Sequence, residues 1–100
     1  MTSAVKYAYH PDVAAKAVNE LAKCIGPLAD NEYANALLAD PRMTNTKGLL
    51  ASCGFSYKGI KFIRERVSGN IPTLEAQKRA LAFLNEIDNE QKKYEEVEAA

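Results

Sequence analysis

One hundred residues, with 47% apolar and 26% charged side chains, suffice for one domain around one core and exclude wholesale disorder. No run approaches ~18 consecutive apolar residues, which excludes a membrane-spanning helix. The opening Met1-Thr2-Ser3-Ala4-Val5-Lys6 lacks the layout of a secretion signal, so a cytoplasmic location is expected. Net charge is zero, but it is unevenly spread. Arg42, Lys47, Lys58, Lys61, Arg64 and Arg66 face only Glu65 between residues 42 and 66, a local charge of +5, while residues 1–41 sum to −2 and 67–100 to −3. Such polarisation concerns a partner more than a fold.

In chain order the elements read as all-α, with an N-terminal arm over 1–10, one helical domain over 11–89 and a charged tail or helix end over 90–100. Val5, Tyr7 and Tyr9 alternate in the arm, too briefly to imply a sheet. Pro11 suits the first turn of a helix, His10 stands before it as a capping or solvent-facing residue, and Asp12 complements the positive helix end. Val13, Ala17, Val18, Leu21, Ala22 and Ile25 recur at helical spacing until Gly26-Pro27 stops the helix. A second helix capped by Asp30 buries Tyr33, Leu37 and Leu38 and ends at Asp40-Pro41.

Thr44 and Thr46 are candidate caps for a short helix containing Leu49, Leu50 and Cys53, closed by Gly54. Ser56 caps the next, whose Ile60, Ile63 and Val67 share one face, and Ser68-Gly69-Asn70 ends it. Beyond Pro72, Thr73 caps a long final helix with Leu74, Leu81, Leu84, Ile87 and Tyr94 along its apolar stripe and Ala80 and Phe83 beside it. The pattern predicts a compact bundle of about five helices in which Leu74, Leu81, Leu84 and Ile87 meet Leu37, Leu49 and Ile63. The stretch from Glu90 to Glu98 is expected to be solvated.

Few residues suit chemistry. Cys24 and Cys53 are too few for a disulfide framework and sit among apolar neighbours, as buried thiols do. One histidine gives no zinc spacing and no close Cys–His pair. No glycine-rich phosphate loop is present, the five glycines reading as helix stops. Neither an enzyme nor a cofactor is expected.

The segment from Thr46 to Ile63 carries the strongest signal. Leu49, Leu50 and Cys53 form an inner face, Gly54 a turn, Phe55 an apolar plug and Ser56 a cap, and Ile60 and Ile63 anchor the second helix. A steep helix pair with a glycine turn asks for these features. The segment resembles the helix-turn-helix family of small phage and bacterial repressors, in which a Gly-hydrophobe-Ser turn precedes the recognition helix. Gly69-Asn70-Ile71-Pro72-Thr73 is similar to the lead into that family's following helix, so the likeness covers about residues 44–85. It departs from the pattern at the bulky Leu50, at Gly59 inside the second helix and in that helix's extra length. The resemblance implies duplex DNA as partner, with Ser56, Tyr57, Lys58, Lys61 and Glu65 toward the groove and Arg42, Lys47, Arg64 and Arg66 as phosphate clamps. It also implies a homodimer, for which Phe83, Ile87 and Tyr94 are the expected contact.

The same stretch supports a second reading. Tyr57 and Phe62 stand among Arg and Lys, the mixture found at protein hot spots. In size and style the chain is similar to phage accessory proteins that block a host protein complex, anti-CRISPR proteins among them. On that reading Tyr57, Phe62, Arg64 and Arg66 form the centre of the contact.

Overall fold

The computed structural model describes residues 9–24, 31–67 and 72–99, with backbone alone for 96–99. These form α1 (Pro11–Lys23), α2 (Asn31–Ala39), α3 (Pro41–Thr44), α4 (Leu49–Ser52), α5 (Tyr57–Val67) and α6 (Leu74–Ala99). The fold is all-α: four longer helices and two single turns, with no strand among the described residues. The longest helix, α6, lies along α2 and α1, and α5 lies on α2 and α4.

His10 caps α1 through Nδ1, which accepts the Asp12 amide at 3.1 Å, and Pro11 takes the first helical position. Val13, Ala14, Ala17 and Leu21 are buried, whereas Ala22 is exposed and Val18 half-buried. The apolar face is therefore turned slightly from the expected stripe, toward Ala14 and Cys24. Ile25, the Gly26-Pro27 stop and Asp30 lie outside the described residues. In α2 the expected Tyr33, Leu37 and Leu38 are buried together with Ala34 and Ala36. The Tyr33 hydroxyl donates to Glu20 at 2.9 Å. Burial, and then this carboxylate, push the phenol pKa upward.

Asp40-Pro41 ends α2 as expected but also starts α3, where Asp40 accepts the Arg42 amide at 2.9 Å and Pro41 is the first helical residue. Neither Thr44 nor Thr46 caps α4. That place belongs to Gly48, which offers no side chain and is buried. A β-carbon there would stand 2.6 Å from the backbone oxygen of Arg42. Gly48 is thus a close-approach glycine and not a helix stop, because the α3–α4 connection folds back on itself. Met43, Leu49 and Leu50 are fully buried beneath it.

Thr73 caps α6, accepting the Ala76 amide at 3.2 Å. The buried line then runs through Ala76, Ala80, Leu84, Ile87 and Gln91. Leu74 and Leu81, placed in the core by the sequence pattern, are 66% and 52% exposed. The reason is size. Alanine at 76 and 80 admits α6 close to its neighbours, and Leu81 lies about 100° around the helix from Ala80. Ile87 is buried, Phe83 is half-buried against the core and Tyr94 stacks on His10, so none of the three forms the free surface expected of a dimer contact.

The end of α6 is docked. Gln91 accepts the His10 amide at 2.8 Å, Tyr94 lies 4.0 Å from the His10 ring at 16°, and Lys16 pairs with Glu90. One side of the stretch expected to be solvated is instead packed, through Glu90, Gln91 and Tyr94, while Lys92, Lys93 and Glu95 are exposed.

Candidate nucleic-acid interface

The α4–α5 turn has an identifiable cause. Gly54 takes φ +95°, the left-handed region that favours glycine. Its amide donates to Ala51 at 3.0 Å, and the Phe55 amide reaches back to Leu50 at 3.1 Å, closing α4 with the paired bonds of a Schellman stop. Phe55 packs half-buried against the core. Ser56 then starts α5, its hydroxyl accepting the Gly59 amide at 3.1 Å. The glycine, the plug and the cap therefore stand where their residue types required them, although α4 itself is a single turn.

Helix α5 presents two different sides. Ile60 and Val67 are buried and Ile63 is half-buried; Tyr57, Lys58, Lys61, Phe62, Arg64, Glu65 and Arg66 are exposed. Lys47 is exposed on the α3–α4 connection and Ser56 at the helix start. At about 100° per residue, Lys58, Lys61 and Phe62 point away from the bundle, with Tyr57 and Arg64 together on one flank. Arg66 falls about 160° around from Arg64. The two arginines thus serve opposite flanks and not the single patch centre expected of them. An open groove on the Tyr57 side is lined by Thr44, Tyr57, Ile60, Lys61, Arg64 and Glu65.

Arg42, the first member of the basic cluster, is not a surface cation. Its side chain is only 19% exposed and lies between two carboxylates. Nε and one terminal nitrogen donate to Asp40 at 3.0 and 2.8 Å, and the other donates to Asp88 at 2.6 Å and Asn85 at 3.2 Å. Tyr9 closes the group by donating to Asp88 at 3.1 Å. These hydrogen bonds, those to Asp40 foremost, raise the guanidinium pKa. Burial alone would raise the Asp40 pKa, but the bonds from Arg42 outweigh it and hold it below the usual value. Arg42 ties α3 to α6 and is occupied there, which removes it from the phosphate clamps. Asp40 is two positions from Arg42 but Asp88 is forty-six, so only the tertiary fold reveals the second pairing.

Thr44 is the groove residue that sequence reasoning assigned elsewhere, as a cap. Nothing local marks it, because its meeting with α5 depends on how α3 packs. Burial pushes the half-buried Cys53 thiol pKa upward, which disfavours its nucleophilic thiolate form. Among the described residues no group of three or more His, Cys, Asp or Glu side chains is placed to hold a metal, and no helix is long and apolar enough to cross a membrane.

No protein-family model, no curated protein and no solved structure matches the chain.

Proposed function

We propose that the chain is a small DNA-binding regulatory protein that presents α5, the second member of a helix-turn-helix-like pair, to nucleic acid. One observation supports this above others: Lys58, Lys61, Arg64 and Arg66 are all exposed on a helix whose opposite side is anchored in the core. They leave the solvent side of α5 cationic, Glu65 included, even after Arg42 is withdrawn, and Lys47 is exposed as well. Phosphate neutralisation by such a face releases counterions and gives salt-dependent binding to any sequence. Sequence preference would come from Ser56, Lys58 and Lys61 near the start of α5.

A DNA titration at several salt concentrations tests this. Lys61→Ala and Arg64→Ala should each weaken binding and lower the steepness of the salt dependence by about one unit per lost phosphate contact, with melting unchanged. Absence of DNA binding at low salt by the folded protein retires the proposal.

A second reading draws on the 61% exposure of Phe62 and the 75% exposure of Tyr57. Exposed aromatics beside arginine would suit an acidic host protein, the chain then acting as an inhibitor of a larger complex. On that reading Phe62→Ala abolishes capture of the partner and peripheral Lys47→Ala leaves it intact.

A further inference from the structure

Tyr57 is the most exposed large apolar side chain among the described residues, and it is not loose on an open face. It lines the groove with Thr44, Ile60, Lys61, Arg64 and the single carboxylate of Glu65. Lys61 and Arg64 follow it at i+4 and i+7, one and two turns further along the same flank, at about 5.4 Å per turn. Phe62, the second exposed aromatic, lies about 140° around from Tyr57, with Lys58, Lys61 and Glu65 between the two rings. The helix thus sets two flat apolar rings among four cations and one carboxylate, Glu65.

Duplex DNA makes poor use of that arrangement. In a major groove the base faces are already stacked and only edges are offered, so an aromatic ring gains little beyond a thymine methyl. An unpaired base offers its whole face. Aromatic platforms interleaved with Lys and Arg are the equipment of proteins that hold single strands.

We propose that the groove is a stacking site for an unpaired nucleotide. One base lies on the Tyr57 ring, the adjoining phosphate sits by Lys61 and Arg64, and Phe62 supplies a platform for a neighbouring base. Single-stranded nucleic acid is then the preferred ligand of α5. This rests on the nucleic-acid reading above and sharpens it, by naming the strand state that is bound.

The test uses the full chain with a mixed-sequence oligonucleotide of about a dozen nucleotides, a length within the usual site sizes, offered single-stranded and as its duplex. Fluorescence anisotropy of a labelled strand reports affinity. The single strand should bind at least about tenfold more tightly, because a stacked base contributes about one to two powers of ten. Tyr57→Leu keeps apolar bulk at an exposed position and should remove about tenfold of single-strand affinity while sparing duplex affinity. Phe62→Leu should act in the same direction. Lys61→Ala should weaken both forms, reducing the salt slope by about 0.7 for the single strand. The chain contains no tryptophan, so tyrosine emission can also be followed: the fraction quenched by the single strand should vanish in Tyr57→Leu. Equal or tighter duplex binding overturns the stacking site and leaves the DNA-binding reading standing. Tighter single-strand binding that Tyr57→Leu does not affect also overturns it. Failure to bind either form at low salt overturns both.

Discussion

Arg42 separates the charge that builds this fold from the charge that faces outward, and its removal makes the separation measurable. Arg42→Met keeps most of the aliphatic stem and deletes the guanidinium, leaving Asp40 with the backbone amide of residue 42 and Asp88 with the Tyr9 hydroxyl but neither with its cation. The lost bonds are two to Asp40, at 3.0 and 2.8 Å, and those to Asp88 and Asn85, at 2.6 and 3.2 Å. Hydrogen bonds to charged groups are worth about 1.5–3 kcal/mol each, and removing one partner of a fully buried pair costs about 3–5 kcal/mol. Here the side chains of Arg42, Asp40 and Asp88 are 19%, 20% and 35% exposed. Water replaces part of what is lost, so a cost of about 2–3 kcal/mol follows after discounting for solvent screening. Thermal melting should fall by roughly 10–20 °C for a domain of this size.

Arg42→Lys should recover less than about half of that loss, because an ammonium cannot match the fork of donors on Asp40. The linkage has a definite sign. Asp40 has its folded pKa depressed, so its contribution is complete well above the unfolded value of about 3.9 and is lost as pH falls through that value toward the lower folded one. The stability gap between wild type and Arg42→Met should therefore be full at neutral pH and narrow below about pH 4. DNA affinity, measured where both proteins are folded, should hardly change. A variant that melts within a degree or two of wild type but loses its salt-dependent DNA binding would refute the assignment, and would return Arg42 to the binding face.

The remaining predictions concern the core and two glycines. Leu84→Ala should cost about 2–5 kcal/mol in denaturant unfolding, whereas Leu81→Ala should cost less than about 0.5 kcal/mol, as an exposed site does; equal losses would mean that the buried line of α6 is misplaced. Gly48→Ala should destabilise the protein, since the added carbon meets the Arg42 backbone oxygen at 2.6 Å. Gly59→Ala has only ordinary contacts, at 3.5 Å from Ser56 and 3.8 Å from Phe55, and should stabilise α5 by up to about 1 kcal/mol; a Gly48→Ala variant that melts higher than wild type, or a Gly59→Ala variant that melts lower, would refute the role assigned to that glycine.

Much of this architecture was legible because its determinants are local. Pro11 and Asp12 at a helix start, Ser56 and Thr73 as caps, and Gly54 as a left-handed stop act within a few residues of themselves. The structure finds each in the place its chemistry required. What could not be read is what depends on approach between distant segments. Alanines at 76 and 80 look like fillers beside Leu74 and Leu81, yet close packing chooses the small residues for the interior. Gln91 looks like part of a solvated tail until the His10 amide is found bonded to it. The candidate site divides in the same way. Exposure of the outer face of α5 follows from helical periodicity, but the loss of Arg42 to Asp88 and the arrival of Thr44 beside Tyr57 require the tertiary fold.

The outer face of α5 stands energetically apart from the rest. Ile60, Val67 and half-buried Ile63 hold the helix down, and none of its four cations is needed for that attachment. Phe62 buries little on folding at 61% exposure, so the hydrophobic effect gives the monomer little return for keeping a phenylalanine there. Scattered exposed apolar residues need no explanation by themselves. Two aromatic rings spaced among cations along one helix, with one ring set into a groove, are a different matter: their apolar area becomes useful when something flat or apolar covers it. A phosphate backbone alone would be served by the lysines and arginines. The rings ask in addition for bases or for a protein surface, and the comparison of single strand with duplex, with Tyr57→Leu beside Lys61→Ala, measures which of these α5 receives.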